Sequence, residues 1–553
     1  MKTIYLFTFL CLFCSTIKAQ YVEKVTSINY YGYNGLNPSN LTVFNNKLYF
    51  FGTDDNQYVD KLMFTADGSA AGVTVVKQID SVIQYPSLRH LAILNNILIF
   101  DNHYKLWKSD GPSAGTTSIA TIATSGTNYA VLNNKVYFAG DITNQNPVVD
   151  QLWQTDGTIS GTTLVKTINP TGAASIGNMF VYGGKIYFNA TDGVNSSQLW
   201  ISDGTESGTK LLKIIYPSSG TNSRYFVSYN GKVYFAATDA VSGTQLWVTD
   251  GTTTGTLKVT NINASDMGLY PSTFTLFNSK LFFMGIDTTN ASYQSFYQLW
   301  STDGTTTGTV KVKTDYTPSN FGGGFMPNSM AVHNNMLYMA GYDSVSATKQ
   351  LFVTDGTTAG TTKVTSFPKG LDPSKLYSFQ NKLIMTGWDT VSNWEELFAS
   401  DGTAAGTVCP TPPAMGDSPF YPSWEAWVPF NNALYFKAAY GYFADYQLCR
   451  YTETKPSGIM ANNESPKAFV LFQNYPNPFN PTTTINYSLA KEGNVKLTVY
   501  NSIGSKVATI VNENKPAGNY TVQFNGSNLA SGIYFYRIQA GSFIETKKMI
   551  LLK

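Results

Sequence analysis

Short apolar runs separated by polar turn clusters fill most of this chain, and no stretch keeps a helical period. Lys232-Val233-Tyr234-Phe235-Ala236 is representative: it follows Asn230-Gly231 and leaves neither face clearly polar. An Asn-Asn, Asn-Gly or Gly-Gly pair supplies the positive φ angles of a tight hairpin, and β-branched and aromatic residues then favour a strand. Strands without a polar face are buried on both sides, as in sheets stacked against one another.

The pattern repeats. Leu152-Trp153-Gln154-Thr155-Asp156-Gly157-Thr158 recurs as Leu199 to Thr205, Leu246 to Thr252 and Leu299 to Thr305, with looser copies at Asp67, Asp110, Asp355 and Asp401. Successive Asp-Gly pairs lie 43, 46, 47, 47, 53, 52 and 46 residues apart, the period of a propeller blade. The hairpin motif occurs nine times, from Asn46-Lys47-Leu48-Tyr49-Phe50 to a degenerate form at Asn432; the ninth unit ends in Leu448-Cys449-Arg450-Tyr451, without the Asp-Gly turn. Each unit yields about four strands. The expected fold is all-β: a closed β-propeller of about nine four-stranded repeats over residues 20–451, in which Val22-Glu23-Lys24-Val25-Thr26 completes the last blade.

An aromatic stands three residues before each Asp-Gly: Phe64, Trp107, Trp153, Trp200, Trp247, Trp300, Phe352 and Phe398. One packing site repeated by the architecture explains them better than a ring of ligand platforms. The copies resemble the ELWxxDGT repeat family of bacterial extracellular proteins, departing from it in Gln151, Gln198, Gln245 and Gln298 at the first acidic position. The resemblance implies a surface or secreted repeat protein and supplies no reaction.

After Tyr451 the pattern changes. Residues 452–466 have no apolar periodicity and read as a linker, and residues 467–553 alternate in short runs such as Val495 to Tyr500, the pattern of a small Ig-like β-sandwich. Asn474-Tyr475-Pro476-Asn477-Pro478-Phe479-Asn480-Pro481, Leu529-Ala530-Ser531-Gly532-Ile533-Tyr534 and the ending Lys547-Lys548-Met549-Ile550-Leu551-Leu552-Lys553 resemble the type A sorting domain of the type IX secretion system of Bacteroidota. That resemblance implies the type IX machinery as a partner, passage through the periplasm, and delivery to the outer surface or the medium.

Composition narrows the class. Of the 553 residues 43% are hydrophobic, 14% aromatic and only 13% charged, which suits an extracellular all-β protein. Residues 467–553 hold nine Lys or Arg against three Glu, so with a total of +2 and two lysines before residue 20, the segment between is about −6 and unsuited to nucleic acid. Lys2, the apolar Ile4 to Phe13 and Lys18-Ala19-Gln20 read as an export signal over residues 1–19, and no later stretch is a membrane span. Cys409 and Cys449 are then the remaining cysteines, as a disulfide or as two buried thiols.

No catalytic constellation emerges. His90, His103 and His333 lie in no ligand spacing, Gly416-Asp417-Ser418 between prolines reads as a loop, and no cofactor or metal motif is present. The Asp-Gly-Thr copies fit a turn in which the carboxylate bonds backbone amides, and Asp54-Asp55 with Asp60 is only a weak cation cluster. The expected role is a non-catalytic one, binding glycan or protein, with an extracellular glycosidase or lyase using carboxylates from different blades as the alternative. The longest units point to the binding surface: Tyr293, Phe296, Tyr297, Phe321 and Phe325, on loops rich in aromatics and Asn.

Overall fold

The computed structural model describes residues 21–26, 35–53, 62–69, 72–79, 88–102, 104–142, 148–263, 267–287, 296–314, 324–389, 394–410, 420–423, 426–440, 445–453, 469–474 and 477–552. The chain divides into two compact units, Met1–Pro456 and Ser457–Lys553. Both are built from strands, and among the described residues no helix is long and apolar enough to cross a membrane.

In the first unit each repeat folds into one antiparallel sheet whose strands follow in chain order. The fourth sheet is typical: Gly177–Tyr182, Lys185–Ala190, Gln198–Ser202 and Lys210–Lys213. The hairpin turns take the backbone that their sequence demands, with φ of 47° and 55° at Asn45 and Asn46 and 57° and 71° at Gly183 and Gly184. The second strands, such as Lys135–Asp141, are buried on both faces. The eighth sheet departs from the four-strand expectation: beyond Ser374–Phe379, Lys382–Asp389 and Trp394–Ser400 its fourth strand shrinks to one bridge, Ala399 with Val408. Pro410 follows two residues later and has no N–H to extend a ladder.

The ninth sheet takes a strand from the other end of the chain. Tyr21–Lys24 pairs antiparallel with Asp445–Thr452, with Val22 opposite Tyr451 and Glu23 opposite Arg450. Apolar side chains fill the spaces between successive sheets. Leu199 and Trp247 share one such cluster between the fourth and fifth, and Val25, Leu48, Phe64, Tyr435 and Leu448 share another between the ninth and first. The aromatics before each Asp-Gly belong to these layers; Trp200 is 5% exposed and Phe398 2%. This arrangement is compatible with a propeller-like fold. Cys409 and Cys449 are not bonded to each other: Cys449 is buried between the eighth and ninth sheets, whereas Cys409 packs between the seventh and eighth.

The second unit has a three-stranded sheet, Val470–Leu471, Thr482–Leu489 and Gly518–Asn525, and a four-stranded one ordered Lys506–Lys515, Gly493–Asn501, Gly532–Ala540, Phe543–Leu551. Ile485, Tyr487, Leu497, Tyr536 and Leu551 join them in one core. The linker residues 454–466 lie outside the described residues.

Candidate functional site

The repeated motif closes on itself. The Asp156 carboxylate accepts from the Thr158 N–H at 2.9 Å and from its hydroxyl at 2.7 Å, and the Thr158 oxygen accepts the Gly161 N–H at 2.9 Å. A Cβ on Gly161 would lie 2.0 Å from Asp156 Oδ1, which explains the glycine five residues after the aspartate. The Thr158 hydroxyl holds the Asp156 carboxyl below its ordinary range, as Thr205, Thr252 and Thr305 do for Asp203, Asp250 and Asp303. Gln151, standing where the repeat family has an acid, accepts the Ile168 N–H at 2.7 Å and donates to the Asn169 and Gly172 carbonyls at 2.9 Å. An amide has both the donor and the acceptor that this buried position requires, and a carboxylate has acceptors only.

The carboxylates next to the strands are engaged as well. Asp239, Asp287 and Asp343 pair with Lys258, Lys311 and Lys363 at 3.0, 2.7 and 2.8 Å. Asp101, fully buried, accepts from Thr124 at 2.6 Å and Tyr129 at 2.7 Å and meets His90 Nδ1 at 2.9 Å. Burial opposes its ionisation, but the bond and charge of His90 prevail and hold its pKa below the usual range. This cluster fastens the second sheet to the third. His333 is buried with Nδ1 2.9 Å from Ser378 Oγ, and burial lowers its pKa. His103, Asp54, Asp55, Asp60 and the Gly416-Asp417-Ser418 segment lie outside the described residues.

What varies between units is the first strand of each sheet. In the first eight sheets its register slips near its start, and a residue there takes positive φ: Asn40, His90, Gly126, Asn178, Tyr225, Thr273, Ser329 and Lys375. Such bulges re-aim side chains, and a non-glycine residue pays for them in strain. Several reach the next sheet. Asn178 Nδ2 donates to the Ser223 carbonyl at 3.1 Å, the Ser329 hydroxyl accepts the Leu376 N–H at 2.7 Å, and Lys375 Nζ donates to the Ser423 carbonyl at 3.2 Å.

The fifth sheet breaks this rule. Tyr225 is 48% exposed, the Arg224 guanidinium lies 5.5 Å from its ring centre and 4.6 Å from that of Tyr270, and Tyr270 also has positive φ. Burial, with the nearby phenols of Tyr270 and Tyr225, raises the pKa of Tyr297. Tyr225 also walls a shallow cavity of about 290 Å³ with Asn128, Asn178, Met179, Phe180 and Phe226. A larger cavity of about 420 Å³ lies between the first and second sheets around Asp110, but its lining is the repeated turn and strand.

Of the aromatics picked out in the sequence, Tyr297 lies at this cluster, half-buried. Phe296 and Phe325 are 2% and 0% exposed and pack in the core. Phe296 pairs across the strand with Asp287, and Phe325 meets Phe352 edge-on at 4.9 Å. Tyr293 and Phe321 lie outside the described residues. The missed signal is a second repeat, Gly35-Leu36-Asn37-Pro38, Gly268-Leu269-Tyr270-Pro271, Gly324-Phe325-Met326-Pro327 and Gly370-Leu371-Asp372-Pro373, whose second residue is fully buried in every copy. Arg224 and Tyr225 sit in a unit of ordinary length, and Tyr270, though in the longest unit, lies before the segment that lengthens it.

Residues 473–552 match the family of secretion system C-terminal sorting domains. Such a domain indicates export to the cell surface or secretion and implies the type IX machinery. No curated protein sequence matches the chain. Among solved structures it is similar to PorZ, an essential bacterial surface component of the type IX secretion system of Porphyromonas gingivalis, at 12% identity over 93% of this chain and 75% of that one, with a TM-score of 0.34. It is similar to prolyl endopeptidases at 11% identity over 74% of this chain and 55% of theirs (TM-score 0.37), and to BamB from Moraxella catarrhalis at 11% over 65% and 97% (TM-score 0.35). At these scores none carries an activity over to this chain.

Proposed function

We propose that this is an exported protein of the outer surface or the medium. Its residues 20–451 form a closed propeller of about nine ELWxxDGT-like repeats that binds glycan or protein. Residues 467–553 are an Ig-like address for the type IX machinery, joined to the propeller by the linker 452–466. The observation that carries this reading is the sorting-domain match over residues 473–552 at the end of a separate β unit. The pairing of Tyr21–Lys24 with the ninth sheet supports closure. The binding role is supported by the Arg224, Tyr225, Tyr270 and Tyr297 cluster, which the repeat itself does not require.

Fractionation of cells making the chain without residues 467–553 tests the address: the truncated protein should accumulate in the periplasm. Undiminished amounts at the surface or in the medium would remove the sorting assignment. A glycan and protein array run beside a polysaccharide-hydrolysis screen tests the cargo. Binding without turnover is expected, and turnover lost on changing a carboxylate would make it an enzyme.

A further inference from the structure

Arg224 and Arg89 occupy the same place, each directly before the positive-φ residue of a first strand. Across the ladder Arg89 faces Asp101, with Nε 3.9 Å from a carboxylate oxygen, and its Nη2 donates to the Thr124 carbonyl at 3.2 Å. Arg224 faces Ala236. Among the described residues its guanidinium has no carboxylate and no hydrogen-bond partner, only the rings of Tyr225 and Tyr270. The two tyrosines hold φ of 57° and 51°, a region that bulky side chains rarely occupy. Positive φ recurs at the place of Tyr225 in the other first strands, as at His90, Thr273 and Lys375, and at the place of Tyr270 in Asn37, Met326 and Asp372, so the repeat itself enforces the backbone on which the two rings are carried.

The chemistry of the cluster selects a ligand. A guanidinium steadied on an aromatic face keeps its planar fork of N–H donors free, and that fork matches a carboxylate in bidentate fashion. The Tyr225 ring, 48% exposed, and the partly buried rings of Tyr270 and Tyr297 offer apolar faces with polar tips, which suits the C–H face and hydroxyls of a sugar. An extended peptide adding to the sheet would need a regular strand edge, and the edge strand that carries Arg224 and Tyr225 is interrupted there by a bulge. Beyond Tyr225 the shallow cavity toward Asn128 and Asn178 leaves room for a neighbouring sugar ring.

We infer that Arg224, Tyr225, Tyr270 and Tyr297 form a binding site for a carboxylate-bearing polysaccharide, with Arg224 gripping the acid and the tyrosines packing on the sugar. This rests on the reading of the propeller as a binding module and adds its ligand class. The full chain is titrated calorimetrically with polygalacturonate, alginate and hyaluronate, and with methyl-esterified pectin and laminarin as uncharged counterparts. At least one acidic polymer should bind, weakening as NaCl rises, and methyl esterification should reduce binding of polygalacturonate wherever that polymer is the one recognised. Arg224→Gln should weaken binding by roughly tenfold or more, the loss of a charge-assisted pair, with an unchanged melting temperature. Arg224→Lys, which keeps the charge and loses the fork, should fall between them. Tyr225→Gly relieves the backbone and should weaken binding without lowering the melting temperature.

Equal binding of acid and ester, full affinity in Arg224→Gln, or binding confined to laminarin or to proteins overturns the inference and leaves the binding reading in place. Failure of the full chain to bind any saccharide or protein overturns both.

Discussion

The Tyr435 hydroxyl of the ninth sheet donates to the Gly68 carbonyl of the first at 3.0 Å, joining residues 367 positions apart. Tyr234 approaches the Gly304 carbonyl in the same way, at 3.5 Å, from the fifth sheet to the sixth. Each is the tyrosine of a hairpin motif set beneath the Asp-Gly turn of the next sheet, so the ninth sheet treats the first as its successor. Replacing Tyr435 with Phe should keep the ring and lose both this bond and the one its oxygen accepts from Arg450 at 3.3 Å, lowering stability by about 1 to 3 kcal/mol in a denaturant titration. Phe282 beneath Gly356 shows that the position accepts a ring without a hydroxyl. A loss far above that figure would mean that the hydroxyl contributes more than its bonds to Gly68 and Arg450.

Deleting Tyr21–Lys24 removes the strand paired with Asp445–Thr452 and separates Arg450 from its partner Glu23. The melting temperature should fall, and dimers or larger species should appear on gel filtration as the open edge pairs with another copy. A monomer with an unchanged melt would show that the pairing contributes little.

Gly204 has φ +92°, and a Cβ there would lie 2.1 Å from the Tyr137 hydroxyl. Gly204→Ala combines a left-handed backbone with a steric clash and should cost about 2 to 4 kcal/mol. Combining it with Tyr137→Phe should recover part of this, since the clashing atom is the hydroxyl. Recovery in the double variant, measured by chemical denaturation, separates the clash from the backbone strain.

The lowered carboxyls of Asp156, Asp203, Asp250 and Asp303 give a pH dependence with a definite sign, because each accepts its threonine's hydroxyl more strongly when ionised than when protonated. A folded pKa below the unfolded one stabilises the protein fully above the unfolded value, and that contribution is lost as pH falls through the folded value. Melting temperature should therefore decline from about pH 4 downward. Thr158→Val should blunt the decline, and a melt indifferent to acid down to pH 3 would contradict the assignment.

The sheets were legible because their signals are local and repeated. Asn45-Asn46 requires a positive-φ turn, and Trp200 recurs at a spacing only stacked sheets explain. The site was less legible because exposure depends on register. Phe325 follows glycines in a long unit and looks available, yet it fills the slot that Leu269 and Leu371 fill elsewhere. Arg224 gave no local sign: its meaning comes from Ala236 opposite, where the matching pair in the second sheet has Asp101.

The partners Tyr21 and Thr452 are separated by 431 residues, nearly the whole first unit. A contact of such long range is closed at a high entropic cost and forms slowly. During synthesis Tyr21–Lys24 must wait until Asp445–Thr452 exists, and throughout that delay the strand has no edge of its own to join. Within the first unit, an early strand thus finds its place only when the last sheet is there to receive it.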